Sequence, residues 1–296
     1  MYIGRFAPSP TGPLHFGSLV AAVASYLEAK AHGGKWLVRM EDLDKPREMA
    51  GAADDILRTL EAFGFAWDGE IIYQSQRAKF YENALESLKK RDLVYACTCS
   101  RKEIADSSLQ VGIEGAIYPK TCFYKPKAHP SIHTAYRAIT KDDLISFKDE
   151  IQGHITQNLA TDIGDFVVKR ADGFFAYQLA VVVDDAEQGV THVLRGADLL
   201  DSTPRQIYLQ QLLGLPTPNY AHVPIAINLN GEKLSKQTLA EPIFTHLAGQ
   251  QLFEALCFLG QNVPAEMQSA KLGGIWRWAF AHWSLANVPP AHSITI

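Results

Sequence analysis

The sequence predicts an α/β protein built on a doubly wound parallel sheet. Three observations predict it. The chain opens with strand, helix and strand within about 40 residues, later apolar runs lack alternation, and two polar loops fall where parallel strands should end. Its 296 residues, 47% hydrophobic and 20% charged, suit one large domain or two ordinary ones. That composition excludes disordered, collagen-like, coiled-coil and disulfide-scaffold classes.

Residues 2–6 form an apolar run that meets Pro8, Pro10, Gly12 and Pro13, a first strand entering a turn-rich loop. Phe16, Leu19, Val20, Val23 and Leu27 then recur at helical spacing, predicting a helix over 16–31 stopped by Gly33-Gly34. Residues 36–40 supply the second strand of a right-handed βαβ unit. Helical patterns follow over 48–63 and 76–91, and a strand over 93–96 leads to Cys97. Between 98 and 165, prolines and scattered Gly and His break the periodicity, predicting an inserted α+β subdomain of short strands and loops. The parallel sheet should resume at 165–169 and 174–183, where Ala180-Val181-Val182-Val183 reads as a strand buried on both faces. An apolar stretch at 190–194, a helix over 203–213 opened by Thr203-Pro204, and a strand over 222–227 precede a polar loop at 230–238. The C-terminal region reads as mainly helical, with Cys257 in its core. The expected segments are 1–96 and 166–240 for the two halves of the main domain, 97–165 for the insertion, and 241–296 for the C-terminal region.

A net charge of -4 excludes a polycation binding nucleic acid through bulk charge, so any RNA contact must be local. Four unevenly placed cysteines suit a reducing compartment, and no long apolar stretch suggests a leader or membrane span. A cytoplasmic protein is expected, with no membrane and no obligate protein partner.

The common phosphate loops are missing: no G-x-G-x-x-G occurs, and Gly34-Lys35 is followed by Trp36 where Ser or Thr is needed. The first strand-to-helix turn instead reads Pro8-Ser9-Pro10-Thr11-Gly12-Pro13-Leu14-His15-Phe16-Gly17-Ser18. Gly17 permits close approach to the backbone, the helix start offers N–H groups to phosphate, and His15 is placed to donate to the same anion. A capping histidine beside a turn glycine explains that pattern equally well. The polar loop carries Lys233-Leu234-Ser235-Lys236-Gln237, which alone suits a solvated surface. Together, each at the carboxyl end of a predicted strand, the two loops outline a nucleotide site.

His15-Phe16-Gly17-Ser18 and Lys233-Leu234-Ser235-Lys236-Gln237 resemble the HIGH and KMSKS motifs of class I aminoacyl-tRNA synthetases. The run from Arg5 to Gly12, Glu41-Asp42, Phe175 to Ala180, and Gly189 to Leu200 resemble the glutamyl branch, over about residues 1–240. Ser18 and Gln237 depart from the motifs, so the contacts those side chains make elsewhere do not carry over. Only about 60 residues follow Gln237, fewer than the helical anticodon-binding region of full glutamyl-tRNA synthetases. The length is similar to that of a truncated paralogue of that branch. The resemblance implies ATP-dependent activation of L-glutamate without tRNA, and its transfer to the queuosine base of tRNA(Asp). Alternatives are a truncated synthetase charging a tRNA 3′ end and a non-catalytic RNA-binding paralogue.

Adenylate formation calls for positioning and charge stabilisation. His15, Gly17, Lys233 and Lys236 are the expected catalytic groups; His15, Gly17, Ser18 and Lys236 are expected to hold ATP with its Mg²⁺. Glutamate needs cations and an anion at fixed separation: Arg5 and Arg195 as carboxylate forks, Glu41 for the ammonium, and Tyr177 as a hydroxyl. The resemblance places these with Ala7 and Ser9 in the glutamate site. Cys97, Cys99 and Cys122 suggest one structural Zn²⁺, which needs four ligands. The resemblance supplies Tyr118, while His129 or His133 is the chemically commoner fourth ligand.

Overall fold

The computed structural model describes residues 1–126, 134–228, 231 and 241–296. The first half contains β1 (Ile3–Phe6), α1 (Phe16–Ala31), β2 (Lys35–Met40), α2 (Ala52–Ala62), β3 (Ile72–Tyr73), α3 (Ala78–Lys90) and β4 (Val94–Cys97). The middle contains α4 (Arg101–Ser107), β5 (Val111–Gly112), β6 (Gly115–Ala116), α5 (Thr121–Tyr124), β7 (Ala135–Ala138), β8 (Leu144–Asp149), β9 (Gly153–Asn158), α6 (Leu159–Asp162) and β10 (Val167–Lys169). The remainder contains α7 (Tyr177–Glu187), β11 (His192–Gly196), α8 (Thr203–Leu213), β12 (Asn219–Val223), β13 (Ile225–Ile227), α9 (Ala248–Phe258), α10 (Leu272–His282) and β14 (Ser293–Thr295).

The opening βαβ unit is present: β1 pairs in parallel with β2, and β2 with β3. Helix α1 ends at the residue its apolar spacing predicts, because His32 and Gly33 turn the chain back through hydrogen bonds to its last carbonyls. A second parallel ladder runs β11 to β12 to β8. The two ladders meet where the Thr191 N–H donates to the Ile3 carbonyl at 2.9 Å and the Ile3 N–H to the Thr191 hydroxyl at 2.9 Å. One core lies around α1, β1, β2, α9 and α10, and a second around α3, α7, α8 and β11.

Four expectations need correction. Residues 177–187 form α7, not a strand: every residue from Leu179 to Asp185 is buried, and a helix covered all round loses the one-sided period that distinguishes it from a buried strand. Residues 167–169 pair antiparallel with β7, outside the parallel ladders. The strand expected over 222–227 is two strands, because Pro224 has no N–H to continue a ladder. β12 stays beside β11, while β13 pairs in parallel with β14, a C-terminal strand the helical reading missed. Cys257 is exposed, since Leu252, Ala255, Leu256 and Leu259 take the buried face around α9. No helix among the described residues is long and apolar enough to cross a membrane.

The inserted region is tied to the main sheet. β4 pairs antiparallel with β7, and β8 forms a hairpin with β9 while Asp149 at its end pairs with Tyr220 of β12.

Candidate active site

A cavity of about 700 Å³ opens at the carboxyl ends of β1, β2 and β11, where α/β sheets bind ligands. Its walls include Arg5, Ala7, Ser9, His15, Gly17, Ser18, Glu41, Tyr177 and Arg195, so nine expected site residues from four separate stretches converge. Lys233 and Lys236 lie outside the described residues. The chain on either side is anchored at this cavity: Ile225 and Ala226 of β13 line it, and Ile243 N–H donates to the Leu14 carbonyl at 2.9 Å. Pro242 forms a β-bridge with His15.

At one end of the cavity stands the start of α1. His15 is its N-cap, and the Ser18 N–H donates to His15 Nδ1 at 3.4 Å. That bond requires an unprotonated Nδ1, so the neutral ring carries its proton on Nε2. The capping and cavity-lining readings of His15 therefore hold together.

The other end is a network of buried charge. Arg5, 3% exposed, donates from Nε to Asp185 at 3.3 Å, and among the described residues its two terminal nitrogens have no hydrogen-bond acceptor. Arg39 spans Glu41 at 3.2 Å and Asp185 at 2.8 Å, and donates to Gln188 at 2.7 Å. Burial pushes the Glu41 carboxyl above its ordinary value despite Arg39 and Arg5. Burial acts the same way on Asp185, but there Arg5 and Arg39 outweigh it and hold the carboxyl low.

Arg195, 5% exposed, is held only by neutral groups among the described residues. Its Nε donates to His222 Nε2 at 3.0 Å, Nη1 to the Tyr177 hydroxyl at 3.3 Å, and Nη2 to Thr203 at 2.9 Å, Gln206 at 2.8 Å and the Leu199 carbonyl at 3.3 Å. No carboxylate there forms an ion pair with it. A buried guanidinium without a counter-ion favours an anion in the cavity beside it.

The sequence reading missed Arg39, Asp185, His222 and Asp149, which support the cavity from behind. A faint signal existed for one: Asp184-Asp185 closes an otherwise apolar run, and carboxylates there need partners once buried.

Away from the cavity, the sulfurs of Cys97, Cys99 and Cys122 lie within 4.8 Å of one another. Tyr118 Oη is 3.3 Å from Cys97 Sγ and 3.5 Å from Cys99 Sγ, and Cys99 and Cys122 sulfurs are 3.5 Å apart. A tetrahedral zinc site with bonds of about 2.3 Å places sulfurs about 3.8 Å apart, so the donor set fits the ion. Burial opposes ionisation of Cys122, but hydrogen bonds from Tyr118, the Thr98 backbone and the other cysteines bring its thiol down to about 6. His129 and His133 lie outside the described residues.

The family model for class I (E and Q) tRNA synthetases, catalytic domain, matches residues 3–251. The chain is 56% identical to a glutamyl-Q tRNA(Asp) synthetase of Dechloromonas aromatica, covering 97% of this chain and 96% of that one. It is 57% identical to the protein of that name from Chromobacterium violaceum, over 98% and 96% of the two chains. Among solved structures it is similar to the glutamate–tRNA synthetase of Elizabethkingia anophelis, at 25% identity and a TM-score of 0.78, covering 100% of this chain and 68% of that one. By the span of the family match and by its near-full-length relatives, this chain belongs to the class I tRNA synthetases of the E and Q type, within the glutamyl-Q tRNA(Asp) synthetase family.

Proposed function

We propose that this chain activates L-glutamate with ATP, without tRNA, and transfers the glutamyl group to the queuosine base of tRNA(Asp). The observation that carries the glutamate assignment is Arg195, a buried cation without a carboxylate partner among the described residues, facing a cavity that also holds Arg5 and Glu41. Arg5 and Arg195 bind the two carboxylates, and Glu41 binds the ammonium, whose charge favours the ionised carboxylate that burial disfavours. Tyr177, steered by Arg195, donates its hydroxyl proton to the ligand. Ala7 and Ser9 complete this wall.

ATP lies toward the α1 end, its phosphates over Gly17 and Ser18 with His15 Nε2 donating to them. Mg²⁺ accompanies the ATP, as in this ATP-using family. A glutamate carboxylate oxygen attacks the α-phosphorus, the bond to the β-phosphate breaks, and pyrophosphate leaves as Lys236 and Lys233 meet its growing charge. A hydroxyl of the queuosine cyclopentenediol then attacks the acyl carbon, and AMP departs. The insertion would hold one structural zinc through Cys97, Cys99, Tyr118 and Cys122, closing the 97–165 segment between the two halves of a doubly wound domain.

The acceptor is tested with labelled glutamate, ATP and tRNA(Asp) made with or without queuosine. Label recovered on the queuosine nucleoside after nuclease digestion is the expected result. Label on the terminal adenosine, or equal labelling of both tRNAs, rejects the proposed acceptor.

A further inference from the structure

The cavity's own residues do not explain why Arg195 points where it does. Behind it, His222 is fully buried, and its Nδ1 lies 2.6 Å from Asp149 Oδ2 while its Nε2 accepts from Arg195 Nε at 3.0 Å. Asp149 is itself fixed, because its Oδ1 accepts the backbone N–H groups of Ile151 at 3.0 Å, Gln152 at 2.9 Å and His222 at 3.1 Å. The carboxylate is an acceptor only, so Nδ1 must carry the imidazole proton and Nε2 must be bare. With Nε anchored there and Nη2 anchored on Thr203 and Gln206, the guanidinium plane has one orientation, and its Nη1 edge is turned to Tyr177.

We propose that Asp149 and His222 form a positioning relay that sets the histidine tautomer and thereby aims Arg195 at the glutamate carboxylate. The relay rests on the assignment of Arg195 to glutamate. It gives the inserted hairpin a part in amino-acid recognition, since Asp149 ends β8 while Arg195 sits on β11 and His222 on β12. Burial outweighs the pull of Asp149 and brings the His222 imidazole down to about 4, which keeps Nε2 an acceptor at neutral pH.

The decisive variant is Asp149→Asn, which preserves the shape and the three backbone bonds through its carbonyl oxygen. Its amide then donates to His222 Nδ1, moving the ring proton to Nε2 and turning a donor against Arg195. In ATP–pyrophosphate exchange the relay predicts a glutamate KM raised by roughly 10- to 100-fold, the effect of losing a hydrogen bond to a charged group, with the KM for ATP unchanged. Nitrogen-15 NMR of the imidazole should report the Nδ1–H tautomer in the wild type and Nε2–H in the variant. His222→Gln, whose amide oxygen reaches the Nε2 position, should stay near the wild-type glutamate KM, whereas His222→Leu should not. An unchanged glutamate KM in Asp149→Asn, or KM values for glutamate and ATP that rise together, overturns the relay. Arg195→Lys separates the two ideas. If it raises the glutamate KM while Asp149→Asn does not, only the relay fails; if it is silent, the glutamate assignment fails and the relay with it.

Discussion

The two ends of the cavity are built in opposite ways. The end proposed to take the amino acid is made of long charged side chains cross-braced over β1, β2, α7, α8, β11 and β12. The end proposed to take the phosphates rests, among the described residues, on one helix start and a capping histidine. Side-chain bracing gives a fixed charge pattern and hence selectivity, because a misplaced carboxylate leaves buried cations unpaired. Main-chain N–H groups read charge without reading shape, which suffices for a triphosphate.

Substitutions can break that contrast. Lys236→Ala should have the largest effect, cutting adenylate formation by about 10²–10³ or more at saturating substrates while the melting temperature holds. Unchanged activity would remove the lysine loop from the mechanism. Arg5→Leu should act at the other end, raising the glutamate KM by about 100-fold with little change for ATP. Equal changes in both constants would mean that the two ends are not independent.

A smaller effect concerns stability. The folded His222 sits at about 4, below its ordinary 6.5, so as pH falls through that window the unfolded chain takes up a proton the folded chain refuses. Stability should therefore drop by about 3 kcal/mol as the pH falls from neutral to about 4, a loss absent in His222→Gln. Denaturant melts of the two proteins across that range measure it. The smallest effect on catalysis is expected from the metal: Cys97→Ser with Cys122→Ser should abolish binding of one zinc per chain and lower the melting temperature, yet leave exchange near the wild-type rate. Cys97, Cys99, Tyr118 and Cys122 are not among the residues that line the cavity.

The same contrast explains what was legible in the sequence. The α1 boundaries follow from apolar spacing and a double glycine, and the start of α8 from Thr203-Pro204; the structure ends α8 at Gly214, with φ of 69°. These are local signals. Helix α7 is illegible because both its faces are buried, which erases periodicity. The expected residues that line the cavity stand in motifs and in stretches that resemble the glutamyl branch, whereas Asp149 and His222, 73 residues apart, meet only because β8 and β12 become neighbours. No local pattern marks such a pair. β14 was missed for a related reason: three residues of strand acquire meaning only beside β13.

On the proposed function, the braced end of the cavity selects glutamate in the absence of RNA. ATP–pyrophosphate exchange with purified protein, comparing glutamate, glutamine and aspartate in tRNA-free buffer, tests it directly. The arrangement of Arg5, Glu41 and Arg195 predicts exchange with glutamate alone. Exchange that appears only after tRNA(Glu) is added, or that proceeds equally with glutamine, would contradict it.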